Sequence, residues 1–206
     1  MQTTSTNAKN AISSVHAAMP SYSIAVAERE IAFAPITTLS SRILNGLKAS
    51  DTSSQVIDSA KTIVRKIQGN RAKPKKTEEE KTALAAEGKP VKEISVSNQS
   101  FDSQLENLDK LIKLLSSIVT YTPNETELKV ATLTILFNDL KAKNATVIAK
   151  TTPLSNARIA RNEIFNNPKT GLVASASDAK AYIKSLYGAS SPQYKQISKL
   201  AFKAIK

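Results

Sequence analysis

Phe101-Asp102-Ser103-Gln104-Leu105-Glu106-Asn107-Leu108-Asp109-Lys110-Leu111-Ile112-Lys113-Leu114-Leu115-Ser116-Ser117-Ile118-Val119 is the stretch that decides the fold. Its apolar residues fall at Phe101, Leu105, Leu108, Ile112, Leu115 and Val119, in alternating steps of four and three. At 3.6 residues per turn those positions share one face, so the spacing predicts a helix with a continuous apolar stripe. Leu111, Leu114 and Ile118 widen the stripe, while Glu106, Asp109, Lys110 and Lys113 take the opposite face. The rod is about 28 Å long at 1.5 Å per residue. A stripe this wide has to be covered by other helices, or by a second copy of itself in a coiled coil.

The flanking sequence supplies such helices. Thr122-Pro123-Asn124-Glu125 has a hydroxyl for an N-cap, a Pro for the first helical position and a Glu at the third. This predicts a helix start there, followed by Leu128, Leu133, Leu136, Leu140 and Val147 on one face. The short gap after residue 119 predicts an antiparallel hairpin. Pro153 is expected to kink or split the second helix near Thr152, since Pro lacks the N–H and crowds the preceding turn. Residues 154–165 read as helix again and 166–171 as a turn. Ser175 and Asp178 suggest a capping box for a helix reaching Tyr187, which Gly188 ends. Ser191-Pro192-Gln193 opens a last short basic helix.

The N-terminal half repeats this plan less cleanly. Residues 8–19 form a weak helix ended by Pro20, residues 21–49 a helix broken at Pro35, and Thr52-Ser53-Ser54-Gln55 caps a third that ends at Gly69. The run from Ser59 to Gly69 aligns with that from Asp178 to Gly188 at an offset of 119 residues; Pro35 and Pro153 match at 118. Two landmarks at nearly one offset suggest an internal duplication. Between the halves, Arg71-Ala72-Lys73-Pro74-Lys75-Lys76 is basic, Thr77-Glu78-Glu79-Glu80 is a capping box, and Gly88-Lys89-Pro90 stops the short helix that follows. The expected fold is therefore all-α: a helical bundle of two related three-helix units with proline-interrupted long helices. The expected division is 1–69, a charged connector with a short helix at 70–97, and 98–206.

Composition narrows the chemistry. The 206 residues include no Cys and no Trp, which excludes disulfides and thiolate metal sites. Five Gly and eight Pro argue against a turn-rich β protein. No window approaches 18 uninterrupted apolar residues, and the first residues lack a basic region followed by an apolar run, so the expected location is cytoplasmic. His16 is the lone histidine, on a small-residue helix. Metalloprotease, nucleophile-elbow, phosphate-loop and dinucleotide motifs are absent, as are the Glu-x-x-His pairs of di-iron bundles. Glu28 and Glu30 point apart on a helix; Glu78, Glu79, Glu80, Glu125 and Glu127 suit helix starts. Neither a cofactor nor a small-molecule substrate is evident. Asn98, Asn124 and Asn144 begin Asn-x-Ser/Thr triplets.

Charge is the remaining signal. The chain carries +12; residues 140–206 hold twelve Lys plus Arg against Glu163 and Asp178, a net of +10, and no acid follows Asp178. Arg158 and Arg161 share a helix face, as do Lys180 and Lys184, and Lys195, Lys199 and Lys203, with Tyr182, Tyr187 and Tyr194 interleaved. These cations are the candidate contacts for an anionic partner, nucleic acid included. No helix-turn-helix, zinc finger, RNA-recognition or K-homology signature accompanies them. The final helix is also amphipathic and cationic enough to lie on a membrane surface, although Ile197, Leu200 and Ala201 could dock on the bundle instead.

The segment from Lys180 to Lys195 resembles the ending of a group of uncharacterised all-helical bacterial proteins; Thr152-Pro153-Leu154-Ser155-Asn156-Ala157-Arg158 and Tyr121-Thr122-Pro123-Asn124-Glu125 are similar to that group too. The resemblance implies a helical bundle and a bacterial source, and brings no activity and no site residues. The resulting expectation is a non-enzymatic structural or protein-interaction protein, working through its basic C-terminal face or through an apolar stripe that pairs with another copy. The alternative is a nucleic-acid-binding protein using the same cations.

Overall fold

The computed structural model describes residues 2–70, 77–86 and 99–204. They form α1 (Gln2–Phe33), α2 (Ile36–Lys48), α3 (Ser54–Ile67), α4 (Glu78–Ala86), α5 (Phe101–Ser116), a 3-10 turn (Thr126–Leu128), α6 (Val130–Asn166), α7 (Leu172–Tyr187) and α8 (Pro192–Ser198). No strand occurs among the described residues, so the all-α expectation is met. The chain divides into two compact units: Glu28–Ala145, and Met1–Ala27 with Thr146–Lys206. The sequence division at 70–97 falls largely on residues outside the described set.

The Glu28–Ala145 unit holds the large core. The α5 stripe buries Leu105, Leu108, Leu111, Ile112 and Leu115. Ile36, Ile43 and Leu47 come from α2, Ala60, Val64 and Ile67 from α3, and Leu133 and Leu140 from α6. α3 packs against both α2 and α5. Each fully buried Leu or Ile contributes about 1.5–3 kcal/mol of transfer free energy. The stripe stops one turn early: α5 ends at Ser116 and Val119 is 93% exposed.

Polar contacts organise one end of this core. Asn144, 6% exposed, donates through Nδ2 to Asp102 Oδ1 at 2.7 Å and accepts from Arg29 Nη1 at 3.0 Å. The Arg29 guanidinium lies 3.9 Å above the Phe101 ring, which meets Phe33 edge-on at 4.8 Å. Asn144 is fourteen residues into α6 and Asp102 is the second residue of α5. With the chain joining the other ends of these stretches, they run antiparallel, as expected. Asn144 is spent inside the fold, which removes it as an exposed glycosylation acceptor.

Three sequence expectations are corrected. The first concerns Pro20, expected to end a helix, and the expected split at Pro153: α1 and α6 continue as helix through both positions. A mid-helix Pro costs about 3 kcal/mol in isolation. Here buried Val15 and Ala25 bracket Pro20, and buried Val147 and Leu154 bracket Pro153, so packing holds both flanks. Pro35, by contrast, does separate α1 from α2. The second concerns Thr122-Pro123-Asn124-Glu125, which starts no α-helix; the chain stays irregular to the 3-10 turn, and α6 begins at Val130. Tyr121 explains this, because its buried hydroxyl donates to the Leu128 carbonyl at 3.0 Å and closes the loop on itself. The third concerns α7, which starts at Leu172 rather than at a Ser175 cap.

Other stop signals act as written. Gly69 and Gly188 take φ of +70° and +83°, the left-handed region that favours glycine, just beyond the ends of α3 and α7. Thr77 and Glu80 form the reciprocal cap of α4: Glu80 N–H donates to Thr77 Oγ1 at 3.2 Å, and Thr77 N–H to Glu80 Oε2 at 3.0 Å. The glycine stops match, but they do not establish the expected duplication. Its proline landmarks do not correspond, and α3 buries three residues where α7 buries none.

Burial, and secondarily the Glu125 charge, pushes the Tyr121 phenol above its ordinary value. A group raised in this way stabilises the fold fully below its unfolded value of about 10, and that contribution is lost as pH climbs through the folded value. Tyr121→Phe leaves the Leu128 carbonyl unpaired and is expected to cost about 1 kcal/mol at neutral pH. It should also flatten the alkaline loss of stability. Urea titrations at pH 7 and pH 10.5 check both; equally steep alkaline loss in the two proteins would contradict the assignment.

Candidate functional site

Cavities come first. A crevice of about 590 Å³ lies between α2 and the 120–128 loop, lined by Arg42, Asn45, Tyr121, Asn124 and Glu125 among others. Its strongest polar groups are already engaged: Tyr121 with the Leu128 carbonyl, Arg42 with Glu127. A smaller apolar notch of about 290 Å³ lies between Leu39 and Leu136. Among the described residues no three His, Cys, Asp or Glu side chains gather as a metal site. Glu106 is held below its ordinary value by the Lys110 ammonium, its hydrogen-bond partner one turn on, in an exposed helix-surface pair. None of these places assembles a nucleophile, a base and an orienting group, the minimum a catalytic site needs.

The hairpin of α7 and α8 is different. The turn before it is built by Asn167, whose Oδ1 accepts from the Lys169 and Thr170 N–H groups at 3.0 Å each. Gly171 then caps α7, and a Cβ there would come within 2.5 Å of the Asn167 carbonyl oxygen. Only glycine fits so close an approach. At the far end Ser191 Oγ accepts from the Tyr194 N–H at 3.1 Å, and Pro192 takes the first position of α8. α7 packs against α8, yet neither helix contains one buried residue. Tyr182, Leu186 and Tyr187 on α7, and Leu200 and Phe202 just after α8, are exposed. Tyr182 and Leu186, four apart, lie on one face of α7.

The seven sequence-identified cations occupy four kinds of environment. Lys180 Nζ donates to the carbonyls of Ser198 at 2.6 Å and Leu200 at 2.9 Å, closing the C-terminal end of α8. Arg161 donates through Nε and Nη2 to Asn162 Oδ1 at 3.0 and 2.7 Å. Lys184 Nζ sits 5.9 Å from the Tyr194 ring centre. Arg158, Lys195, Lys199 and Lys203 are exposed and form no ion pair among the described residues. Sequence spacing found the cations, but it could not show that Lys180 is used inside the hairpin. It also left open whether Leu200 docks on the bundle or stays exposed, because periodicity does not say whether a face finds a neighbour.

Comparison with protein-family models, with curated proteins and with solved structures finds no match for this chain.

Lys180→Met removes the only side-chain donor described at the carbonyls that close α8. Amides of residues 193–200 are expected to exchange with deuterium several-fold faster in that variant, with α5 unchanged. Unaltered exchange in α8 would show that the cap holds nothing.

Proposed function

We propose that the protein is a non-enzymatic helical structural or protein-interaction protein whose working element is the basic α7–α8 hairpin. The observation that carries this reading is a hairpin with no buried residue that nevertheless displays five large apolar side chains. Large apolar side chains left exposed in this way on a short basic element are surface that a protein partner could cover. Unit Glu28–Ala145 already buries its stripes and needs no help from the hairpin to form a core. The resemblance to uncharacterised all-helical bacterial proteins carries no activity and leaves this reading as it stands.

The nucleic-acid alternative draws on the same acid-free stretch. Against it, Lys180 and Arg161 are internally engaged, and Leu186 and Leu200 offer aliphatic surface that neither pairs with phosphate nor stacks on a base. A protein partner uses both the apolar residues and the cations.

An environment-sensitive naphthalene sulfonate dye reports accessible apolar patches. The folded chain is expected to enhance its fluorescence, and Leu186→Ser with Phe202→Ser to remove most of that signal while the far-ultraviolet dichroism stays unchanged. No enhancement, or enhancement indifferent to both substitutions, would refute the reading.

A further inference from the structure

We infer that the crevice between α2 and the 120–128 loop is a binding site for a small neutral polyol, a mono- or disaccharide. It lies within the Glu28–Ala145 unit, and its volume of about 590 Å³ is in the ordinary range of ligand clefts. Its frame is fixed. The Tyr121 hydroxyl is held on the Leu128 carbonyl, and Arg42 pairs with Glu127. A chain of hydroxyls runs from Ser50 through Thr52 to Thr120, at 2.8 and 3.1 Å. These contacts tie the loop to α2 and to the turn after it, so the walls need little ordering when a ligand arrives. The floor is deepened by Gly46, in the last turn of α2. Gly46 is not among the glycines with positive φ, and a Cβ there would meet Leu128 Cδ1 at 3.7 Å and Tyr121 Cε2 at 3.9 Å, ordinary contacts. Alanine therefore fits and is the better helix former. Neither backbone nor packing asks for glycine at this position; what it provides is room in the crevice.

The unspent polar groups select the ligand. Thr122, Asn124 and Glu125 line the crevice, and their side chains form no hydrogen bond or ion pair among the described residues. Asn45 lines it too; its Oδ1 accepts from Lys48 Nζ at 3.5 Å, and its amide nitrogen has no acceptor among the described residues. An anion would meet the Glu125 carboxylate, since the Arg42 charge is already answered by Glu127. A cation would pair with Glu125 but turn a group that accepts nothing toward the amide donors of Asn45 and Asn124. An apolar ligand would strip water from all four side chains and replace none of it. A hydroxyl both donates and accepts, so a ring of hydroxyls can serve amides, a threonine and a carboxylate together. Gly46, Ala49 and Pro123 give its C–H face an apolar surface to rest on.

The isotope-labelled full chain is titrated with glucose, mannose, galactose, N-acetylglucosamine and maltose in turn, each to about 20 mM, enough to fill a millimolar site. The amide resonances are the readout. At least one sugar is expected to give saturable shifts centred on the amides of Gly46 and Asn124, with those of α7 unmoved. Asn124→Ala should weaken that binding about fivefold by removing one hydrogen-bonding group. Gly46→Leu, which fills the floor, should abolish it while the far-ultraviolet dichroism stays unchanged. Asn124 is exposed on a loop, so its variant decides the matter even where Gly46→Leu disturbs the fold. No saturable shift at the crevice with any of the five sugars overturns the inference, as does binding indifferent to Asn124→Ala. Stronger binding there of citrate, or of putrescine, overturns the neutral class in favour of an anion or a diamine.

Discussion

Covering the apolar stripe of α5 is the constraint from which the rest of the larger unit follows. Leu108, Leu111 and Leu115 are fully buried, and they share one core with Ile43 and Leu47 of α2 and Val64 and Ile67 of α3. A bare α5 would leave more than 100 Å² of apolar surface in water for each large side chain, at about 25 cal/mol per Å². Two amphipathic helices and the first part of α6 remove that cost together, and none of them could do so alone. The hydroxyl contacts that tie Thr52 to Thr120 at 3.1 Å, and Tyr121 to the Leu128 carbonyl, are then free to shape the 117–129 connection, because the helices they join are already fixed.

The polar end of that core has a different logic. Asn144 bridges Arg29 and Asp102, so a cation and an anion on separate helices are joined through a neutral amide. An amide with two donors and one acceptor oxygen can serve both partners at once, whereas an apolar side chain would orphan both. Arg29 also stacks on Phe101, and its Nε is buried without a hydrogen-bond partner among the described residues. Such a cluster fixes which turn of α6 faces which turn of α5, a discrimination that leucines alone make poorly.

Much of this was legible in the chain. The stripe at Leu105, Leu108, Ile112 and Leu115, the breaks at Gly69, Gly188 and Pro35, and the Thr77–Glu80 cap all depend on residues near in sequence, so local rules capture them. The misreadings share one cause. Thr122-Pro123-Asn124-Glu125 carries every local mark of a helix start, yet the hydrogen bond from Tyr121 to Leu128 holds that segment as a loop. Pro20 and Pro153 carry the mark of a helix stop, yet buried residues on both sides keep α1 and α6 continuous. Tertiary context overrode propensity each time. For the candidate site, the cations could be read from spacing. That Lys180 is consumed at Ser198 and Leu200, and that Tyr182 and Leu186 stay exposed, depends on the fold of the hairpin.

A core that satisfies itself and a hairpin whose helices hold only partly buried and exposed residues should differ in how readily they open. Hydrogen–deuterium exchange on the full chain tests that separation most directly. Amides in α3 and the centre of α5 are expected to exchange only through global unfolding, while α7 and α8 exchange through local opening, at least a hundredfold faster. Protection in α7 and α8 equal to that in α5 would place the hairpin in the cooperative core and contradict its assignment as a surface left for a partner.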